Sequence, residues 1–161
     1  MTSQVERILA QWHTEKPQLD VSPMAVIGRL SRAASAVEAR IAANFAAQGL
    51  DSPTFDVLAT LLRSGLPHSL TPAVLARDAM ISTSAVAQRL NKLEARGLVS
   101  RTANPDDGRG TLVSLTPAGR NLVEAALPTH LATERSITGT LSKDEQALLA
   151  KLLEKITDAA S

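Results

Sequence analysis

Residues 71–116 read TPAVLARDAM ISTSAVAQRL NKLEARGLVS RTANPDDGRG TLVSLT, and the fold turns on this stretch. Apolar spacing predicts a short helix over Pro72–Asp78, a tight turn, and a second helix over Thr83–Arg96. Gly97 ends that helix, because glycine alone accepts a left-handed stop without a side-chain penalty. Two β-prone runs follow, Leu98–Thr102 and Thr111–Leu115. Between them lies a loop of turn residues, Asn104-Pro105-Asp106-Asp107-Gly108-Arg109-Gly110. Helix, turn, helix and a two-stranded ribbon with an arginine at its tip is the plan of a winged helix-turn-helix. The expected fold class is mainly α with a two-stranded β wing, the flanking N- and C-terminal helices forming a dimerisation region.

In the second helix Val86, Leu90 and Leu93 recur at i, i+4 and i+7, which marks the buried face, and Ser82 is placed to cap its N-terminus. The opposite face presents Thr83, Ser84, Ala87, Gln88 and Asn91, short or amide side chains that leave a helix free to enter a major groove. Gln and Asn can bond adenine at two atoms, and Ser and Thr can serve bases or phosphates. Arg89 and Lys92 flank that face within reach of phosphate. Arg109 at the ribbon tip suits a narrow minor groove, with Asp107 two residues earlier to pin its guanidinium. Double-stranded DNA is the expected partner, contacted by Ser82, Thr83, Ser84, Ala87, Gln88, Asn91, Lys92 and Arg109. An isolated helix with this surface would read as merely solvated. The preceding helix and the following ribbon favour groove entry.

Outward from this stretch, Val5, Ile8, Leu9 and Trp12 predict a first amphipathic helix over Gln4–Thr14, closed by Pro17. Ser22-Pro23 opens a long helix to about Gln48, with Gly49 as its stop. The same Ser/Thr-Pro pattern, a cap followed by proline where the missing N–H costs nothing, recurs at Ser52-Pro53, Thr71-Pro72 and Thr116-Pro117. Pro128 should kink the helix that Thr116 starts, or begin a new segment. Ser142 with Glu145 forms a capping box for a last helix carrying Leu148, Leu149, Leu152, Leu153 and Ile156. That apolar stripe needs a partner, either the N-terminal helices or a second copy of the chain. One domain over 1–161 is expected, with the winged helix at about 52–116 and dimerisation helices at about 4–48 and 117–159.

Composition removes several classes. With 44% hydrophobic and 20% charged residues in 161, the chain is globular rather than disordered. No apolar run approaches the ~18–20 residues of a membrane span. The N-terminus lacks a signal-peptide pattern, so a cytoplasmic location without membrane contact is expected. There is no cysteine, which excludes disulfides, thiolate metal sites and thiol redox switches. His13, His68 and His130 stand singly, without metal-ligand spacing, and no phosphate-binding glycine loop or nucleophile elbow occurs. Neither an enzyme nor a cofactor is implied. The net charge of +1 does not advertise nucleic acid. Locally, though, Arg89, Lys92, Arg96 and Arg101 stand against the single acid Glu94. That weak bulk charge leaves open a winged helix used for protein–protein contact with no DNA role.

The run Leu93-Glu94-Ala95-Arg96-Gly97-Leu98-Val99-Ser100-Arg101, then Asn104-Pro105-x-Asp107-x-Arg109, then Val113-x-Leu115-Thr116-x-x-Gly119, resembles the MarR family of bacterial regulators. Two departures are Asn104 for the usual aspartate and Gly108 where arginine is common. The resemblance covers Ile27 to Leu153. It implies a homodimer that presents two winged helices to a pseudo-palindromic operator, in most cases as a repressor. The absence of cysteine argues against the peroxide-sensing branch. The Trp12 helix, Pro17-x-Leu19-Asp20 and Leu127-Pro128-x-His130-Leu131-Ala132 resemble the urate-responsive branch instead. That narrower resemblance implies an effector pocket at Trp12, Asp56, Arg89 and Arg101, taking a small anionic aromatic ligand such as urate or a different phenolic compound. Asp56, an acid inside an apolar helix, should need an arginine partner. The plainer alternatives are Trp12 as dimer core, Asp56 as a structural ion pair, and Arg89 and Arg101 as phosphate contacts.

Overall fold

The computed structural model describes residues 3–104 and 110–160. The chain forms two compact units, Met1–Arg40 and Ile41–Ser161. In the first, helix α1 (Gln4–Glu15) starts at a capping box. Glu6 donates its N–H to the Ser3 hydroxyl, and Ser3 returns its own N–H to the Glu6 carboxylate at 2.6 Å. Val5 is buried where Gly28 of helix α2 (Ser22–Ala46) leaves room for its methyls, 3.5 Å from where a Cβ would sit. Ile8, Trp12, Leu19, Met24, Val26 and Ile27 remain exposed.

The second unit holds the last turn of α2 with Phe45, then α3 (Ser52–Arg63), β1 (Ser69–Leu70), α4 (Pro72–Asp78), α5 (Thr83–Ala95), β2 (Val99–Ala103), β3 (Thr111–Leu115), α6 (Pro117–Thr138) and α7 (Lys143–Ala160). Its core is the apolar side of α3, α4 and α5 closed by the sheet and α6. Leu58, Leu61, Leu75, Val86, Leu90, Leu93, Val113 and Val123 are all essentially out of solvent. The α5 stripe is buried as its spacing predicts. The ribbon pairs antiparallel in the register Val99↔Leu115, Arg101↔Val113, Ala103↔Thr111. Beyond the expected two strands, β1 adds a third on the far side of β3, giving the order β1-β3-β2. A hydroxyl pair, Ser69 Oγ to Ser114 Oγ at 2.7 Å, fastens this short strand.

Of the four expected Ser/Thr-Pro caps two stand as read, at α3 the cap shifts by one residue, and Ser22 is already helical at the start of α2. Thr71 and Thr116 cap α4 and α6. At α3 the cap is Asp51, whose carboxylate accepts the Thr54 N–H at 2.7 Å, so Ser52 is already helical. Before α2, Asp20 accepts the Ser22 N–H at 2.9 Å. Aspartate competes well for these positions because its charged oxygen also meets the positive end of the helix. Pro128 does not start a new segment: α6 runs unbroken through it. Both Pro128 and Glu124, whose carbonyl loses a donor, are solvent-exposed, so water can replace the missing bond. The Ser142–Glu145 capping box forms in both directions. α7 buries none of its residues, and Leu148, Leu149, Leu152 and Leu153 lie exposed.

Two backbone positions are testable. A Cβ on Gly119 would stand 2.0 Å from the Leu98 carbonyl oxygen, a contact with backbone that cannot yield. Gly119→Ala should lower unfolding free energy by about 3 kcal/mol in denaturant titration. Met80, in the turn between α4 and α5, has φ +54° and is 91% exposed. Met80→Gly should raise stability by about 0.5–1 kcal/mol in the same assay, since it relieves left-handed strain and removes no packing.

Candidate nucleic-acid interface and effector pocket

Ser82 begins α5 as N-cap, its hydroxyl accepting the Ala85 N–H at 3.2 Å and meeting the Ser84 hydroxyl at 3.1 Å. With Val86, Leu90 and Leu93 buried, Thr83, Ser84, Ala87, Gln88, Asn91 and Lys92 are all left exposed on the helix. These are the residues expected to meet DNA. Arg109 and Asp107, expected at the wing tip, lie outside the described residues.

The base of the wing is fixed to this helix by side chains. Arg101 on β2 donates Nε to Glu94 Oε2 at 2.9 Å and Nη2 to Asn91 Oδ1 at 2.9 Å, and Nη2 also bonds Glu94. The Arg101 guanidinium holds the Glu94 carboxyl below the usual carboxylate range, so the pair stays ionised. Asn91, expected to offer adenine both halves of its amide, thus has its oxygen engaged by Arg101.

The four residues expected to form an effector pocket are only partly brought together. Trp12 lies on α1 in the first unit, 39% exposed. Asp56, Arg89 and Arg101 belong to the second. Burial among its neighbours pushes the Asp56 carboxyl up, while Arg89, His130 and Arg63 pull it back and Asp51 adds to the rise. Asp56 still keeps an exposed surface, and among the described residues it has no direct ion pair, contrary to expectation. Water on that surface substitutes for the partner that a buried acid would require. Arg101 is not among the groups that act on Asp56. Its fork is spent on Glu94 and Asn91 instead.

Arg89 is half-buried, and its Nη1 has no hydrogen-bond partner. It lines a cavity of about 230 Å³ between the first turn of α3 (Asp51, Pro53, Thr54) and α5 (Ala85, Gln88, Arg89, Lys92). Two cations there face one carboxylate. The Asp51 carboxyl is held low by the Thr54 hydrogen bond, so it carries its charge. A buried guanidinium nitrogen without an acceptor is costly, and an oxyanion is the group that would satisfy it.

His130, read in the sequence as a lone histidine and as part of the 127–132 resemblance, is central to the neighbouring packing. Its ring lies 5.0 Å from Phe45 and 4.7 Å from Phe55, and Nε2 stands 3.2 Å from Glu134. Its Nδ1 is buried without a partner.

A family model described as MarR family matches residues 48–110. The transcriptional regulator PecS of Dickeya dadantii is 35% identical over 153 residues, covering 95% of this chain and 92% of its own. Among solved structures, a mutant of E. coli MarR complexed with operator DNA superposes with TM-score 0.75 at 26% identity, over 86% of this chain and 99% of that one. BpsR of Bordetella bronchiseptica, whose DNA binding is regulated by 6-hydroxynicotinic acid, superposes with TM-score 0.75 at 29% identity, over 83% and 93%.

The Asp56 environment gives a pH test. With the folded pKa above its ordinary value of 3.8, ionising Asp56 costs stability as pH rises through the window between the two values. Asp56→Asn should therefore melt at a higher temperature than wild type at about pH 7, with the gap closing below about pH 4. Thermal scans across that range measure it.

Proposed function

The chain belongs to the MarR family of transcriptional regulators, and from that premise we propose that it is a homodimeric repressor released from its operator by a small anionic aromatic ligand. It is a regulator, not an enzyme. The DNA reading is carried by the exposed row Thr83, Ser84, Ala87, Gln88, Asn91 and Lys92 on α5, set opposite three fully buried residues of the same helix. Phosphate contacts from Lys92 and Arg109 would position the helix, and Gln88 would read bases. Homodimerisation is supported by the exposed leucines of α7 and the exposed apolar residues of α1 and α2, surfaces that one chain leaves wet. Two copies would bring two recognition helices to successive major grooves on one side of the duplex.

The effector reading rests on Arg89. Its unsatisfied Nη1 beside a cavity that also holds Lys92 suits the carboxylate or enolate oxygen of a planar ring. Such a ligand would meet the Asp51 carboxylate on the cavity wall and would compete with Asp56 for the charge of Arg89. Urate and hydroxylated aromatic acids share this chemistry. Arg101 would join only after leaving Glu94 and Asn91, so we assign it to the wing first and to the ligand second.

Binding to the chain's own promoter should weaken steeply with salt, the slope of log affinity against log salt being about −0.9 for each phosphate neutralised. A flat salt response would instead indicate a protein-binding winged helix. Adding urate, salicylate or 6-hydroxynicotinate to the complex should release DNA, and Arg89→Gln should abolish that release. If none of the three shifts DNA binding or melting temperature, the pocket is not a sensor.

A further inference from the structure

A simple anion is a poor match for the cavity between α3 and α5, because Asp51 stands on its wall together with Arg89 and Lys92. Hydrogen bonding from Thr54 outweighs the burial of the Asp51 carboxyl and holds it low, and the charges of Lys92 and Arg96 add to this. Asp51 is therefore an anion at neutral pH. Its Oδ1 accepts the Thr54 N–H at 2.7 Å, the bond that starts α3. Among the described residues it makes no direct ion pair. An ionised carboxylate only accepts, and it offers about four lone-pair sites, so one backbone bond leaves most of that capacity open.

The wall thus sets two demands. Arg89 and Lys92 are donors only and call for an oxyanion. Asp51 calls for an N–H or O–H, and it repels an oxyanion set against it. Pro53 and Ala85 add apolar wall, and the volume of about 230 Å³ exceeds the roughly 150 Å³ that suffices for benzene, so an aromatic ring fits. We propose that Asp51 is a specificity-determining residue of this cavity, favouring aromatic anions that carry an N–H or O–H donor apart from their oxyanion over those that carry acceptors alone. The inference rests on the ligand cavity proposed above and narrows the ligand class within it. Selectivity of this kind comes from a penalty on the wrong ligand as much as from a bond to the right one. The capping bond to Thr54 is a separate role, which asparagine or serine can fill equally well.

Isothermal titration of the full chain, without DNA and at neutral pH, against 3- and 4-hydroxybenzoate and against 3- and 4-fluorobenzoate tests this. Each matched pair differs by one donor at nearly constant size. Wild type should bind the better hydroxybenzoate about fivefold more tightly than the matching fluorobenzoate. Asp51→Asn and Asp51→Ser, which keep a cap on α3, should bring that ratio close to one and bind the fluorobenzoate more tightly than wild type does. An Asp51 that served only as a cap would shift both affinities by the same factor. Equal binding of the pair by wild type, or an unchanged ratio in both variants, overturns the proposal and leaves the cavity standing. If no member of the panel binds wild type, or if Arg89→Gln binds them all as wild type does, the cavity reading itself fails and the inference falls with it.

Discussion

The backbone of Leu98 is the joint on which the winged helix depends. Its N–H bonds the Leu93 carbonyl at 2.9 Å, which ties it to the end of α5. Its carbonyl accepts the Thr116 N–H at 3.2 Å, which ties it to the start of α6. The same carbonyl lies where a Cβ on Gly119 would have to go. The Thr116 hydroxyl closes the arrangement by donating to the Gly97 carbonyl at 2.8 Å while accepting the Gly119 N–H. Recognition helix, wing and α6 thus meet at the backbone of one residue, and none can rotate alone without breaking these hydrogen bonds. The positive φ of Gly97, +68°, lets the chain turn into this joint within a single residue.

From that joint the wing leaves with its first strand lying beside α5, which explains how Arg101 can reach Asn91 and Glu94. Val99 and Arg101 sit two residues apart on β2 and so share one face of the ribbon. Val99 fills the core, and Arg101, further out, meets the helix edge where solvent begins. An exposed ion pair of this kind contributes little to stability. Its consequence is geometric: it holds one side chain of the exposed row in a fixed orientation. Energetically minor contacts can still decide specificity, because specificity is a difference between bases and not a sum of contacts.

Much of this was legible in the sequence, for a physical reason. Caps, glycine stops and the 3.6-residue stripe of Val86, Leu90 and Leu93 rest on chemistry within a few residues, so the helices from α3 to α7 fall close to where local rules put them. Tertiary facts were harder. β1 is two residues long and exists through its pairing with β3, and nothing in Ser69-Leu70 alone announces a strand. Asp56 looked like a buried acid needing an arginine because its helix neighbours are apolar. It faces outward enough to stay hydrated, while Phe55 and Val57 on either side are buried. The expected union of Arg101 with Arg89 also failed on geometry. Residues 89 and 91 of one helix point about 200° apart around its axis, so a wing that reaches Asn91 turns away from Arg89.

The arrangement of α5 also bears on how a ligand could act over so short a distance. Gln88 and Lys92 line the cavity beside Arg89, and both belong to the row proposed to meet DNA. A ligand held there need not transmit anything through the core, because it would compete for side chains that the operator also uses. Tenfold weaker binding requires a difference of about 1.4 kcal/mol between the free and liganded states. One hydrogen bond to a charged group is worth about 1.5–3 kcal/mol. Diverting Lys92 alone from a phosphate to a bound carboxylate is therefore enough for a tenfold effect in each half of a dimer. By the same linkage the operator must weaken the ligand equally, so sensing and reading on this helix are two sides of one equilibrium.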